Sequence, residues 1–166
     1  WSHSSKILEV SKKLVKNVKD KGIVKFYALY GNQLQHKGQH DSARIHFELG
    51  VSESVRLNAE SDLSFIYLNY SKLEIEQGNF NNAMKYSKML LDLGVKLKDI
   101  LIQSEAFGLR AEIYEKTDDY SNAYLNRNKQ NELLELLSVE ESKIQVLKQE
   151  LLLESKQKEL NDSLKY

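Results

Sequence analysis

Three short phrases decide the fold: Gly38-Gln-His-Asp-Ser-Ala43, Gly78-Asn-Phe-Asn-Asn-Ala83 and Asp118-Asp-Tyr-Ser-Asn-Ala123. Their alanines are 40 residues apart each time. In register with each alanine stand a ring three residues before it, a small residue twelve before it and an aromatic residue four further back. These columns are His40, Phe80 and Tyr120, then Gly31, Ser71 and Ala111, then Tyr27, Tyr67 and Phe107. Columns that keep register over two periods indicate an internal repeat.

Each column has a physical role in a repeat made of two antiparallel helices. The small residues let the two helices approach closely, and the rings fill the gap between one helical pair and the next. Gly38 and Gly78 can take the left-handed backbone conformation that ends a helix. Asp118 replaces Gly at the third turn, where it and Asp119 suit a turn followed by a helix N-cap. The chain has no Pro and only seven Gly, which permits long helices.

These signals predict the limits of the helices. A helix is predicted at 3–20, followed by the pairs 23–37 with 41–57, 60–77 with 80–93, and 98–116 with 120–137. Four glycines are interpreted as helix boundaries: Gly22, Gly38, Gly78 and Gly94. Gly31 is instead assigned a packing role inside a helix. No Gly or Pro follows Gly108, so the last helix is predicted to continue from Tyr120 towards Leu164.

The pattern resembles the tetratricopeptide repeat (TPR), a helix-turn-helix unit with small residues and rings in these columns. The resemblance covers residues 23–137 and implies an all-α fold, in which antiparallel helix pairs form a right-handed superhelix with a long C-terminal helix. The usual period is about 34 residues, and Ser87 and Arg127 replace Phe47 in the later repeats. The predicted organisation is the second helix of a truncated repeat at 1–22, three TPR-like repeats at 23–137 and an extended polar helix at 138–166.

Composition and motifs argue against several classes of protein. Basic and acidic residues number 24 each, whereas a nucleic-acid-binding segment usually carries an excess of Lys and Arg. The absence of Cys excludes disulfides and thiolate metal sites. No phosphate loop, dinucleotide fingerprint, HExxH motif or nucleophile elbow occurs. No enzyme activity, cofactor or metal is therefore predicted, and no apolar run approaches the length of a membrane span.

A groove is the predicted binding site, because in TPR proteins the first helix of each pair lines a concave surface that holds peptides or partner helices. The candidate ligand-binding residues in this register are Lys25, Asn32, Gln35, Phe65, Asn69, Lys72, Glu105 and Glu112. Asn32 and Asn69 stand where chaperone-binding members hold a peptide backbone, although ordinary surface amides would give the same pattern. The Lys and Arg that clamp a terminal carboxylate there are replaced by Ala28, Glu105 and Leu109. A mixed or basic peptide or protein partner is therefore favoured over a chaperone tail.

The two ends of the chain suggest further partners. Residues 1–22 carry six Lys against two acids, which favours either a solvated face or an anionic partner. Residues 138–166 carry six acids and five Lys. Ile144, Leu147 and Leu151 keep a heptad spacing there before Glu154 and Lys158 interrupt it. The tail is predicted to pack on a second copy, as a homodimer, or on sequence outside this segment.

Two interpretations of the function remain open. Three long-period repeats followed by a polar helix, with Glu140-Glu-Ser-Lys-Ile144 and Leu147-Lys-Gln-Glu-Leu151 in it, resemble the sensor portion of membrane-bound regulators common in Bacteroidetes. The resemblance implies a ligand-sensing segment of a signal-transduction protein, placed outside the cytoplasm. The absence of an initiator Met and the incomplete first repeat fit a segment of a longer protein. The alternative is a soluble cytoplasmic adaptor or peptide receptor.

Overall fold

The computed structural model describes residues 22–59 and 62–163, and within them the regular secondary structure is helical, with no strands. The six helices are α1 (Gly22–His36), α2 (His40–Leu57), α3 (Leu63–Glu76), α4 (Phe80–Leu97), α5 (Ile100–Lys116) and α6 (Tyr120–Ser163). The all-α class predicted from the sequence is confirmed. The helix predicted at 3–20 lies outside the described residues.

Consecutive helices pack antiparallel, as their contacts show. A Cβ atom placed on Gly31 of α1 would lie 2.7 Å from a ring carbon of Phe47 on α2. One placed on Gly50 would lie 3.3 Å from Cβ of Tyr27, so the residue numbers run in opposite directions along the two helices. Gly31 therefore has the packing role that the sequence predicts, because any side chain there would displace Phe47.

The turns repeat with the same geometry along the chain. In the described part of the chain, five residues have positive φ angles between 50° and 72°. They are spaced by 20: Gly38, Asn58, Gly78, Lys98 and Asp118. At each of them, the amide of the next residue donates a hydrogen bond of 2.8–3.0 Å to the carbonyl five residues before it. This bond satisfies a carbonyl at the end of the helix. Ser138 is the next position in the series, and there α6 continues without a turn.

Gly94 does not end a helix, and the boundary predicted at residue 93 is wrong. Helix α4 continues to Leu97, and Lys98 takes the left-handed conformation. A Cβ atom on Gly94 would lie 2.9 Å from Cγ2 of Ile102 on α5. Gly94 is therefore a point of close approach between α4 and α5. The lack of a side chain at Gly94 allows this close packing and does not serve a turn.

The repeated columns are buried to different extents. The alanines that end the three phrases, Ala43, Ala83 and Ala123, are all buried, at 4% exposure or less. His40 and Phe80 are half-buried, and Phe80 packs against the apolar core formed by the second and third pairs. Tyr120 is 67% exposed, since no described helix pair packs beyond α6 at this point.

Helices α2 and α3 meet across a buried ion pair. Glu74 is fully buried, and its Oε1 atom accepts a hydrogen bond of 2.8 Å from Nε of Arg44. Beside it, the Tyr70 hydroxyl donates to Glu48 at 3.0 Å, and the Tyr70 ring stacks on Tyr86 at 4.0 Å between centroids. Burial raises the pKa of Tyr70 well above its ordinary value, so it remains a neutral donor. The first two helical pairs are joined by this polar cluster.

Lys98, which takes the left-handed conformation, gives a prediction in which substitution by Gly stabilises the protein. Lys98→Gly should raise the free energy of unfolding by about 0.5–1 kcal/mol, because Gly removes the steric cost of the left-handed conformation but gains entropy in the unfolded chain. The same change at the exposed, interior Lys88 of α4 should lower it by about 0.5–1 kcal/mol. Urea denaturation of both variants measures the difference. Equal losses at the two positions would contradict the turn geometry.

The buried ion pair gives a second prediction. Arg44→Met leaves the buried Glu74 carboxylate without its cation and should lower the free energy of unfolding by about 3–5 kcal/mol. Met84 and Tyr114 stand at the same two positions one repeat later. The double variant Arg44→Met, Glu74→Tyr copies that pair and should recover most of the loss. Asp41→Asn, which alters an exposed partner of Arg44 at 3.3 Å, is the control and should cost less than about 1 kcal/mol.

Candidate functional site

The candidate site is an open cleft of about 690 Å³ between α3, α5 and the first part of α6. Two leucines, Leu68 and Leu109, give it apolar wall area. The charged residues that line it are Lys72, Glu105, Glu112, Glu115, Lys116 and Arg127. The cleft is therefore predominantly polar, with two leucines among six charged side chains.

The third helical pair differs from the first at the positions where its two helices face each other beside the cleft. Arg127 stands where Phe47 fills the core of the first pair. Its guanidinium group donates to Glu115 at 2.8 Å and to Gln130 at 2.9 Å. Gly108 on α5 has no side chain and lies directly against the amide of Gln130. Arg127 and Gln130 of α6 therefore form one wall of the cleft, opposite the charged residues of α5.

The acidic residues of the cleft differ in their partners. Glu115 is paired with Arg127. Within the described part of the chain, neither Glu105 nor Glu112 has a cationic group within 4 Å. Burial raises the pKa of the half-buried Glu105, the positive charge of Lys72 opposes this shift, and Asp99 adds to it. Glu105 is thus a partly desolvated carboxylate without an ion-pair partner, and a bound cation would stabilise its charge.

The structure brings three of the predicted ligand-binding residues together. Lys72, Glu105 and Glu112 all line the cleft. Their grouping follows from the register of α3 and α5, the first helices of the second and third pairs.

The other five predicted residues lie outside the cleft. Gln35 is buried and donates from Nε2 to Glu76 at 3.0 Å. Asn69 is buried and donates to the carbonyl of Phe65 on its own helix at 2.8 Å. Lys25 is exposed and Asn32 is half-buried. Phe65 is about one-third exposed, at 36%.

Sequence reasoning missed the contribution of α6 to the cleft. Arg127 and Gln130 were not predicted as ligand-binding residues, because the groove was assigned to the first helix of each pair. The replacement of Phe47 by Arg127 was the available signal. A charged residue in a core column indicates that the core is open there.

The described residues offer no sign of a metal site or a membrane span. No group of three or more His, Asp or Glu side chains among them could hold a metal ion. None of their helices is both long and apolar enough to cross a membrane. No protein-family model, curated protein or solved structure matches the chain. The function therefore has to be argued from the cleft itself.

The raised pKa of Glu105 predicts how stability depends on pH. The folded state binds the carboxyl proton of Glu105 more tightly than the unfolded state does. The resulting stabilisation of the folded state is present below the ordinary pKa of Glu and is lost as pH rises through the raised pKa. Glu105→Gln should therefore gain stability relative to the unchanged chain between pH 4 and pH 7, by less than about 1 kcal/mol for a half-exposed group. Thermal unfolding at several pH values measures this gain.

Lys72→Met provides the control, because removing this charge raises the pKa of Glu105 further. The loss of stability should then extend to higher pH than in the unchanged chain. A gain for Glu105→Gln that does not change with pH would contradict the assignment.

Proposed function

We propose that this chain is a peptide- or protein-binding module of TPR type, and that the cleft between α3, α5 and α6 is its binding site. The observation that carries the proposal is two carboxylates, Glu105 and Glu112, beside the apolar Leu68 and Leu109. Neither carboxylate has an ion-pair partner among the described residues. A ligand that supplies a basic side chain next to an apolar one would satisfy both features of the cleft. The proposed ligand is an extended segment with Lys or Arg flanked by aliphatic residues.

The TPR assignment is supported by the 40-residue spacing of equivalent turns and columns. Gly38, Gly78 and Asp118 share one backbone conformation, and the alanine five residues after each of them is buried. Such repeats present extended binding surfaces, because each unit places its first helix beside the next. The first helices α1, α3 and α5 are in contact in this way.

We further propose that binding serves signal transduction, as the ligand-sensing segment of a bacterial membrane-bound regulator. Support comes from α6, which belongs to the wall of the cleft through Arg127 and Gln130 and continues out of the array to Ser163. A ligand in the cleft would contact the helix that leaves the array. The whole gene is expected to encode an apolar segment of about 20 residues after Tyr166. A gene without one would remove this part of the proposal and leave peptide binding intact.

Binding to the cleft is predicted to depend on the charge of the ligand. A fluorescein-labelled ten-residue peptide of alternating Lys and Leu should bind more tightly than its Glu-Leu counterpart. Glu105→Gln and Glu112→Gln should each weaken binding of the Lys peptide by about 5- to 30-fold, as expected for a partly desolvated charge pair. Fluorescence anisotropy at fixed ionic strength measures these affinities.

Glu141→Gln is the matched control, since it removes the same charge from the exposed part of α6, away from the cleft. It should change the affinity by less than about twofold, because separated surface charges are screened by salt. An equal loss in all three variants would show general electrostatic attraction and not a cleft. Preference for the Glu peptide would contradict the proposed ligand.

A further inference from the structure

The outer part of α6 exposes a large apolar surface. From residue 138 to residue 161 every side chain of this helix is exposed. Val146, Leu151, Leu152 and Leu153 are 54–67% exposed. Scattered apolar residues are normal on a protein surface, but a contiguous series along one helix indicates an interface.

The 40-residue register shows what this surface is built to contact. Helices α3 and α5 have four equivalent positions that are buried in both: 66 and 106, 69 and 109, 71 and 111, and 73 and 113. One period later these positions are Val146, Gln149, Leu151 and Leu153. The phrase also recurs, since Leu160-Asn-Asp-Ser163 follows the pattern of Phe80-Asn-Asn-Ala83. The outer part of α6 therefore keeps the spacing of the buried positions of a first helix, with Leu147 in the aromatic column and Leu151 in the small-residue column.

In the earlier repeats, such a first helix packs on the second helix of the pair before it. Between α2 and α3 the facing residues are Gly50 with Ile66, Phe47 with Tyr70, and Arg44 with Glu74. The midpoint of each of these pairs falls at residue 58 or 59. The turn at Asn58 lies at that midpoint and allows the chain to reverse there.

Two periods later the corresponding pairs are Gln130 with Val146, Arg127 with Glu150, and Tyr124 with Glu154. Their midpoint falls at residue 138 or 139. The chain does not reverse there, because α6 is helical through Ser138. Within one chain, the outer part of α6 is thus directed away from the surface that its pattern fits.

A second copy of the chain supplies that surface. We propose that α6 pairs antiparallel with α6 of a second copy, about a two-fold axis near Ser138 and Val139. Each copy places residues 140–157 of its outer segment on the inner segment, residues 120–137, of the other. An antiparallel pairing of identical helices about a common midpoint has two-fold symmetry, so both contacts form at once. The interface is a repeat-to-repeat contact exchanged between chains.

Charge and area agree with this pairing. Arg127 faces Glu150 of the partner in this register, and the apolar Tyr124, which is 67% exposed, becomes covered. The 18 residues of each outer segment that face the partner's inner segment span about 27 Å of helix about 10 Å wide. Each copy contributes one outer and one inner segment, so the interface covers on the order of 540 Å² per partner. The total of about 1,100 Å² is just above the ~1,000 Å² expected of a specific interface. Arg127 and Gln130 also line the cleft, so the pairing shares these two residues with the proposed binding site.

Cross-linking tests the register directly. The chain has no Cys, so Gln130→Cys and Val146→Cys can be introduced singly. A mixture of the two variants treated with a short bismaleimide should give a covalent dimer that contains one of each, and neither variant alone should cross-link. Dimers from Val146→Cys alone would indicate parallel or differently registered tails and would overturn the proposal. A cross-link within one chain of the double variant would show that α6 folds back on itself and would also overturn it.

Two adjacent leucines provide the matched pair for solution measurements. Leu153→Glu alters a position that is buried in both earlier repeats, whereas Leu152→Glu alters one that is not buried in either, at Lys72 and Glu112. Both leucines are exposed in the single chain, so neither change should unfold it, and circular dichroism checks this. Leu153→Glu should raise the dimer dissociation constant about 100-fold or more, because the two-fold axis places the change in the interface twice. Leu152→Glu should change it by less than about threefold.

Light scattering measures the mass, which should be twice the 19.2 kDa of the chain. The proposed pairing would be refuted if the unchanged chain were monomeric at concentrations up to about 100 μM. It would also be refuted if the two leucine variants had equal effects on the dimer.

Discussion

The reversal of the chain at every twentieth residue is the constraint on which the rest of the structure depends. Each reversal requires one residue in the left-handed conformation, and Gly38 and Gly78 supply it with little steric cost. Asn58, Lys98 and Asp118 take the same conformation at greater cost. The turns set the length of the first five helices, and they bring equivalent positions of successive pairs into line. The cleft and the apolar face of α6 both follow from that alignment.

Between the turns, the spacing of the helices is set by contacts in which a glycine on one helix faces a larger side chain on the next. Gly31 leaves room for Phe47, and Gly94 leaves room for Ile102. In the third pair the contact is different, because Gly108 faces the polar Gln130. The same backbone plan thus gives a filled core at one end of the array and an open cleft at the other. Interfaces between pairs are also interchangeable in chemistry, since a buried ion pair at 44 and 74 becomes Met84 and Tyr114 one repeat later.

The sequence predicts the features that depend on residue type and spacing, and it does not predict those that depend on packing. Gly38 and Gly78 could be assigned to turns because Gly suits a left-handed residue. Lys98 could not, since nothing in a lysine indicates that conformation. Gly94 was assigned to a turn because Gly serves close packing and chain reversal equally well. For the cleft, the register gave Lys72, Glu105 and Glu112, but the wall from α6 depends on how far Arg127 reaches towards Glu115, which only coordinates show.

The unbroken α6 connects the cleft to a point far outside the array. Arg127, in the wall of the cleft, is 36 residues from Ser163 at the far end, a distance of about 54 Å along a straight helix. A tilt of about 3° at Arg127 therefore moves Ser163 by about 3 Å, as much as the rise of two helical residues. A small tilt of a straight helix at the cleft would therefore give a larger displacement at Ser163. Length and stiffness, without any change of secondary structure, are sufficient for this amplification.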